Sequence, residues 1–528
     1  MKFKVVSLCF LIGAGGLTAR GFDDEEVFDL GDGPIRQSCT NAELLVPPFN
    51  TCKVIDILKE DFFLKTNPLN TRSLLDMPLF QPTSVSDGQW HIGLSTFFNK
   101  TDRSYFTDCN DDIASYLGLT SDPFISRIET AFKTIRTSIC GDFFTETLGI
   151  PASVFSFNVR EFLSFFSNMT VEERRAGGML TVAKNHGRWF FGVSTPIYWV
   201  EHNLFLTQGE IERIEATQLF PEQTPDQRIE FASKHMISDR LGFGDTRCTI
   251  AASVAEKNGL DLRLGAQATI PTALSLQDGL YGSVFKSCVL PPNLDLCDIL
   301  SIGLDPSSLK RRLVQDLDIL SNRFIDRLSA MLIDTSLGNE NHWGFGCFAQ
   351  PVIQLNDWIS LHSKLSIEHL IATEQLRFFL TPVNLDEFNK RDFSSMDEVV
   401  AEGNLRFLNA RILDMFFPTP CLVTVQPGPI ITFLNAATIT NNNWQYNLGG
   451  DFWYQGKETI RVTNHLASFA TEKVTRPAAY QLKAFGGISY TYPHQKTHWI
   501  LSLNGDTTVF NAGIGKDYTV ALKIGITW

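Results

Sequence analysis

The sequence contains none of the short motifs that mark the common enzyme and nucleotide-binding classes. It has no G-x-S-x-G, no H-E-x-x-H, no phosphate-binding glycine loop and no EF-hand loop. It has no C-x-x-C pair, and its ten histidines are scattered, so a zinc site is not predicted. We therefore expect neither an enzyme nor a protein that holds a metal or a cofactor.

Positive charge and long apolar runs are also scarce. The chain has 45 Lys and Arg against 58 Asp and Glu, a net charge of -13. This balance argues against nucleic acid as a partner. Beyond the first 20 residues there is no run of about 18 apolar residues, so the sequence predicts no membrane-spanning helix.

The first residues have the layout of a secretory signal peptide. Lys2 and Lys4 precede an apolar stretch over residues 5–17, and small residues follow around Ala19 and Gly21. The stretch is shorter than the roughly 20 residues that a spanning helix needs. We predict a cleaved signal peptide over residues 1–20 and export of the remaining chain.

The sequence ends on a strict two-residue alternation, DYTVALKIGITW. One face carries Tyr518, Val520, Leu522, Ile524, Ile526 and Trp528. A period of two predicts a β-strand with one apolar face. Residues 259–270, 357–370 and 479–491 alternate in the same way, and aromatic rings stand at both ends of the apolar rows in 188–200 and 479–491. Soluble strands average about 5 to 6 residues, whereas a tilted membrane strand needs about 9 to 11.

A signal peptide followed by such strands resembles a Gram-negative outer-membrane β-barrel protein of the porin-like kind, and no particular subfamily is indicated. The resemblance implies an all-β transmembrane fold, a closed antiparallel up-and-down barrel of about 14 strands, with 12 to 16 possible. It also implies an insertion signal at Tyr518, Leu522, Ile526 and Trp528, read by the barrel-assembly machinery. Because backbone groups in lipid must pair within the protein, the first strand should pair with the last. A large secreted sandwich remains the alternative.

The fourteen predicted strands lie at residues 89–98, 177–184, 188–200, 246–255, 259–270, 342–354, 357–370, 429–439, 444–455, 460–471, 479–491, 497–503, 507–515 and 518–528. The short connections 184–187, 256–259, 355–357, 441–443 and 504–506 fall on one side of the barrel, which the barrel rule places in the periplasm. We divide the chain into the signal peptide, a periplasmic or lumen-tucked segment over 21–86, and the barrel over 87–528.

The long connections carry helical patterns. The clearest lies in residues 307–334, where Leu309, Leu313, Leu317, Leu320, Phe324 and Leu328 recur at spacings of three and four. Such helices are expected to pack on the top or in the lumen of the barrel.

The cysteines are expected to pair in part, because export places them in an oxidising compartment. Neighbour pairing would join Cys39 to Cys52, Cys109 to Cys140, and Cys288 to Cys297. Strand parity places Cys248 and Cys347 on the lipid face, and Cys421 has no clear mate.

The polar face of the strands predicts the lumen wall. The predicted pore-lining residues are Asp261, Arg263, Gln267, His362, Lys364, Glu368, Gln445, Asn447, Asp451, Gln481, Lys483 and Lys523. Charges there can pair as structural ion pairs or line a wet path that selects solutes. Two functions follow: an outer-membrane channel or transporter for small solutes, or a barrel without an open pore that anchors surface loops for adhesion or contact with a host partner. The sequence leaves the solute and the oligomeric state open.

Overall fold

The computed structural model describes residues 72–80, 88–102, 170–205, 237–278 except 258, scattered positions between 319 and 333, and 334–528 apart from 380, 382–383, 394, 396, 463–468 and 470. The predicted signal peptide, most of the segment 21–86 and the three predicted cysteine pairs lie outside these residues.

Seventeen strands lie within the described part of the chain. They are β1 (Trp90–Asp102), β2 (Thr170–His186), β3 (Trp189–Phe205), β4 (Ile237–Phe243), β5 (Thr246–Lys257), β6 (Leu260–Ile270), β7 (Leu274–Asp278), β8 (Gly344–Asn356), β9 (Ile359–Leu370), β10 (Thr373–Phe379), β11 (Thr419–Gln426), β12 (Ile430–Asn441), β13 (Trp444–Gln455), β14 (Thr459–Arg461), β15 (Ala479–His494), β16 (Thr497–Ala512) and β17 (Lys516–Thr527).

Twelve of these strands form a closed antiparallel barrel. Its order is β1-β2-β3-β5-β6-β8-β9-β12-β13-β15-β16-β17, and β17 pairs with β1 to close the ring. The strands β4 and β7 extend the wall above β5 and β6, since β4 pairs with both β3 and β7, and they bring this sheet to 14 strands. The predicted closed barrel and the pairing of its first and last strands are confirmed.

Two of the strand predictions are wrong. Together they account for the difference between the fourteen predicted strands and the twelve strands of the barrel. Residues 504–506 read as a turn, because Asn-Gly-Asp is typical turn chemistry. Instead β16 runs straight through them, and Gly505 pairs with Gly486 of β15. The predicted strand 460–471 is not part of the ring either, because β13 pairs directly with β15. Its described residues Ile460 and Arg461 belong to β14, which pairs with β11 in a separate sheet.

That separate sheet lies in the long connections and is named the rim sheet: β10, β11 and β14. Between β10 and β11 lie helices α1 (Leu385–Lys390) and α2 (Glu398–Phe416), whose first turns are capped by the side chains of Asn384 and Asp397. Within the predicted helix over 307–334, the described positions between 319 and 333, such as Arg327 and Ala330, are helical. None of the described helices is both long and apolar enough to cross a membrane.

Alternation separates an apolar outer surface from a polar interior. Large apolar side chains are exposed on the outward face of every part of the ring, among them Leu94, Phe191, Leu264, Leu365, Leu448, Leu501 and Leu522. The residues between them point inward and are mostly buried or half-buried. Cys248 and Cys347 are free and lie on the outward face, as strand parity predicts, and Cys421 is free and buried in the rim sheet.

Candidate functional site: the lumen and its plug

A short N-terminal segment fills part of the lumen. Residues 72–80, here named the plug, form two 3-10 turns, Leu74–Asp76 and Pro78–Phe80. The hydroxyl of Ser73 caps the first turn by accepting a hydrogen bond of 3.3 Å from the backbone N–H of Leu75. Almost every plug residue is buried, so the barrel interior rather than local propensity holds this conformation.

Polar contacts attach the plug to opposite walls. The guanidinium of Arg72 pairs with Asp451 of β13 and donates to Oε1 of Gln481 on β15 at 3.3 Å. On the other side of the ring, Arg247 of β5 donates to the carbonyl oxygen of Leu75 at 2.7 Å and to Oδ1 of Asp76 at 2.7 Å. Because β5 and β13 lie far apart in the ring, the plug crosses the lumen.

Apolar contacts hold the rest of the plug. Phe80 packs edge-on against Phe97 of β1, with ring centroids 5.1 Å apart. Leu74, Leu75 and Met77 belong to the same buried cluster. Its other members are Phe97, Met179, Tyr198, Val200, Leu337 and Ala521. The plug therefore combines ion pairs on one part of the wall with hydrophobic burial on another.

The wall neutralises its own charge around Glu368 of β9. Arg247 reaches Oε2 of Glu368 at 2.8 Å while it also holds Asp76. Gln267 donates to the same oxygen at 2.7 Å, and Thr269 donates to Oε1 at 2.6 Å. Glu368 thus keeps three wall donors that do not depend on the plug.

A second wall network surrounds Lys483 of β15. Its ammonium is fully buried and lies 3.0 Å from Oδ1 of Asp506 and 2.6 Å from Oδ2 of Asp517. Asn99 and Gln481 complete the shell of Asp517 with donated hydrogen bonds of 2.9 and 2.7 Å. Lys483 of β15 therefore forms structural ion pairs with Asp506 of β16 and Asp517 of β17.

A third network lies on β2 and β3. Arg175 pairs with Glu173 and donates to the carbonyl oxygen of Arg72 at 2.7 Å. Glu173 also lies 2.8 Å from Nε2 of His202. Beside the plug, between Arg72, Arg175 and Asp517, the wall leaves one small cavity with room for about one water molecule.

All twelve predicted pore-lining residues point inward, but the structure divides them into two groups. Gln267, Glu368, Asp451, Gln481 and Lys483 are buried in the networks around the plug. Asp261, Arg263, His362, Lys364, Gln445, Asn447 and Lys523 lie closer to the end with the short connections and are half-buried. That any of them lines an open path stays a prediction.

The second group is also partly paired. Arg263 donates to Oδ2 of Asp261 at 2.9 Å. Ser360 lies 2.9 Å from Nε2 of His362, and Lys364 stacks its ammonium over Phe348, 4.7 Å from the ring centroid. These contacts anchor side chains along the wall without crossing the lumen.

Sequence reasoning missed several of the residues that hold the plug. Arg72 and Asp76 fall in a segment whose sequence has no period, so no pattern points to them. Arg175 lies outside the predicted strand 177–184, since β2 begins at Thr170. Arg247 has the inward parity of residues 246–255 and could have been found by the alternation that gave the other wall residues.

A further ion cluster joins the rim sheet to the barrel. Glu340, in the turn before β8, pairs with Arg476 and, at 3.3 Å, with Arg377 of β10. Glu458 accepts a hydrogen bond of 2.8 Å from the backbone N–H of Arg476. Burial raises the pKa of Glu340, but Arg476 and Arg377 together outweigh it and lower that pKa to about 2.

The terminal row lies on the outward face of β17. Tyr518, Leu522 and Trp528 are exposed, and Ile526 is half-buried among them. Their reading by an assembly machinery stays a prediction. Among the described residues, no group of three His, Cys, Asp or Glu side chains is placed to hold a metal ion.

No protein-family model and no curated protein matches the chain. Among solved structures, the chain is similar to the COG4313 outer membrane channel from Pseudomonas putida F1 (9% identity, 84% of this chain and 97% of that chain, TM-score 0.39). It is also similar to the Ralstonia pickettii toluene transporter TbuX (10%, 84% and 90%, 0.31) and to a Pseudomonas aeruginosa FadL homologue (8%, 83% and 89%, 0.28). These similar structures are outer-membrane β-barrel proteins, and at these scores the likeness carries no further weight.

Proposed function

We propose that the chain is an outer-membrane channel for small solutes whose lumen is closed by the plug in the state described. The observation that carries the proposal is the closed ring of twelve strands with an apolar outer surface and a charged, hydrogen-bonded inner wall. Barrels of about eight strands are filled by their own side chains, and those of 16–18 enclose water. A ring of twelve has room for a path that a short segment can block.

The outer surface has the dimensions of a membrane band. Tyr518 and Trp528 stand ten residues apart at the two ends of the apolar row of β17. At about 3.4 Å per residue this is about 34 Å along the strand, or about 26 Å after a tilt of about 40°. The apolar band of outer-membrane barrels is about 25 Å tall, so one strand matches it.

Aromatic rings mark the boundary of this band. At the end with the short connections, six tryptophans are between 41% and 54% exposed: Trp90, Trp189, Trp358, Trp444, Trp499 and Trp528. Amphipathic rings of this kind favour the interface between hydrocarbon and water. Their position supports insertion with the short connections at one membrane face, which we assign to the periplasm.

The charge arrangement of the wall supports a removable plug. If the plug leaves, Arg247 keeps Glu368 as its partner at 2.8 Å. Asp451 would lose Arg72, but it is the direct cross-strand neighbour of Lys483. Arg247 therefore keeps an ion-pair partner, and Asp451 keeps the attraction of Lys483, which also pairs with Asp506 and Asp517. Leaving a buried charge with no opposite charge nearby is what makes the loss of a buried ion pair strongly unfavourable.

The experiment is single-channel recording in planar bilayers. We expect the parent protein to be closed for most of the time and the double variant Arg72→Ala, Asp76→Ala to open far more often. Arg263→Ala is the matched control, because Arg263 pairs with Asp261 on the wall and does not contact the plug. Protein recovered in extracted membranes shows that each variant has inserted.

A second candidate function is the anchoring of surface structure without an open pore. The specific observation in its favour is the rim sheet, fixed to the barrel by the cluster around Glu340 above a closed lumen. If the double variant and a deletion of residues 72–80 both insert normally and neither conducts, the channel proposal is wrong and the anchor is favoured.

A further inference from the structure

The outward face of β12 carries an exposed amide in the middle of the apolar band. Asn435 lies halfway along β12, and two large apolar residues on the same outward face of the strand, Phe433 and Ile439, are 43% and 41% exposed. A carboxamide at this depth faces hydrocarbon if the barrel is inserted. Lipid offers it no hydrogen-bond partner, so its position is unfavourable without one from protein.

The surroundings of Asn435 are small. The outward residues paired directly across β9, β12, β13, β15 and β16 are Ser363, Asn435, Gly450, Ala484 and Thr507. The next outward row, toward the long connections, is Leu365, Phe433, Phe452, Leu482 and Phe510. Asn435 therefore sits in a shallow depression bordered by large side chains, where another surface can approach the backbone closely.

The amide is only half satisfied. Ser363 donates its hydroxyl to Oδ1 of Asn435. Within the part of the chain that the structure describes, no acceptor is placed at Nδ2. Thr96, an outward polar residue on β1, differs, because its hydroxyl donates to the backbone oxygen of Leu522 at 3.3 Å and so finds its partner within its own wall.

We propose that this face, centred on Asn435, is the contact between two copies of the chain. Copies in one membrane share their orientation, so a two-fold axis along the membrane normal brings the same surface of each together. A carboxamide carries both donor and acceptor, and Nδ2 of Asn435 can donate to Oδ1 of the partner's Asn435, with the reciprocal bond formed at the same time. A lipid chain cannot supply this acceptor. The contact requires that the outward face meets lipid, and it does not depend on whether the lumen conducts.

The first test compares Asn435→Leu with Thr96→Val as the matched control, using light scattering in detergent and in lipid nanodiscs. Membrane extraction and heat-modifiable gel mobility establish that each variant is inserted and folded. We expect the parent and Thr96→Val to be dimers and Asn435→Leu to dimerise at least tenfold more weakly. A monomeric parent in both media, or a dimer unaffected by Asn435→Leu, would overturn the proposal.

A second test does not depend on the strength of association. In a background with Cys248→Ser and Cys347→Ser, we expect Asn435→Cys to form an intermolecular disulfide in membranes on mild oxidation, because the axis places the two copies of this position side by side. Thr96→Cys in the same parent measures how much crosslinking occurs at an outward position that is not part of the proposed contact. Equal crosslinking of the two variants, or none at position 435, would contradict the two-fold contact.

Discussion

Trp90 and Trp528 exchange two backbone hydrogen bonds. The N–H of Trp90 donates to the oxygen of Trp528 at 2.9 Å, and the N–H of Trp528 donates back at 3.1 Å. The final residue of the sequence is thus paired with the first residue of β1, and both rings are exposed, at 44% and 41%. This pairing explains why the terminal alternation runs to the last residue instead of fraying.

Deletion of Trp528, or Trp528→Asp, is expected to block assembly and leave the protein in the periplasm. The change removes the closing pair with Trp90 and the ring that the insertion machinery is predicted to read. The amounts of the protein in the membrane and periplasmic fractions measure the effect. Trp358→Asp, in the turn between β8 and β9, changes a comparable exposed ring and should be far milder. Normal membrane yield of the deletion would refute an insertion signal at this end.

Leu264→Arg is expected to impair insertion, while Arg263→Leu is expected to be much milder. Leu264 is 48% exposed on the outward face, and an arginine near the bilayer midplane costs about 2–4 kcal/mol. Arg263 lies on the wall, where its loss removes one half-buried ion pair with Asp261. The folded fraction after reconstitution into lipid vesicles measures both. The reverse order of the two effects would invert our assignment of the faces of β6.

Arg72→Gln and Asp451→Asn should each loosen the plug, and the double variant should loosen it no further, since both act on one ion pair. We expect a cysteine placed by Met77→Cys to react at least tenfold faster with a water-soluble thiol reagent in either variant. Arg406→Gln, which breaks an exposed pair with Glu402 on α2, is the control. Unchanged labelling rates would show that the apolar contacts of the plug suffice.

The structure separates three lysines that the sequence places together on the inner wall. Lys483→Gln leaves Asp506 and Asp517 buried without their cation, and we expect a loss of about 3–5 kcal/mol and poor folding. Lys364 and Lys523 lie nearer the short connections and are half-buried.

Replacing Lys364 and Lys523 together by Gln should leave folding intact. In a plug variant that conducts, the reversal potential under a salt gradient should move toward cation selectivity, because the wall loses positive charge. An unchanged reversal potential in a conducting protein would show that these two lysines do not face the conducting path.

Acid should weaken the attachment of the rim sheet. The pKa of Glu340 is lowered to about 2, so between its ordinary value of 4.5 and about 2 the unfolded carboxyl takes up a proton while the folded one does not. The stabilisation by Arg476 and Arg377 is therefore present above about pH 4.5 and is lost as the pH falls toward 2, by an amount on the order of 2 kcal/mol. Hydrogen exchange of the β10 and β11 amides measures this loss. In Glu340→Gln the attachment of the rim sheet should already be weaker at neutral pH, and it should no longer depend on acid.

The alternation of apolar and polar side chains predicted most of the barrel strands correctly. The prediction failed where the local turn preference of the sequence differs from the tertiary structure. Strand parity placed Lys483 and Asp451 on the inner wall correctly because period two is imposed by the backbone itself. The strand prediction was wrong at residues 504–506, because a sequence typical of turns lies inside β16, where Lys483 donates a hydrogen bond to Asp506. The sequence allows part of the segment 21–86 to lie in the lumen, but the contacts of the plug could not be predicted: Arg72 is held by partners on β13 and β15, and no local pattern encodes a contact across 379 positions.

The closing seam also dictates how this chain must be made. Thr96 bonds to Leu522 across 426 positions, so one side of the barrel joins β1, the first described strand, to β17, the last described strand. The ring cannot close before β17 has been made, and a chain that stops before β17 leaves β1 with an unpaired edge. Contacts this distant in sequence form slowly. The seam between β1 and β17 is therefore expected to be the last part of the ring to close, and until it closes the edges of both strands remain open to incorrect pairing.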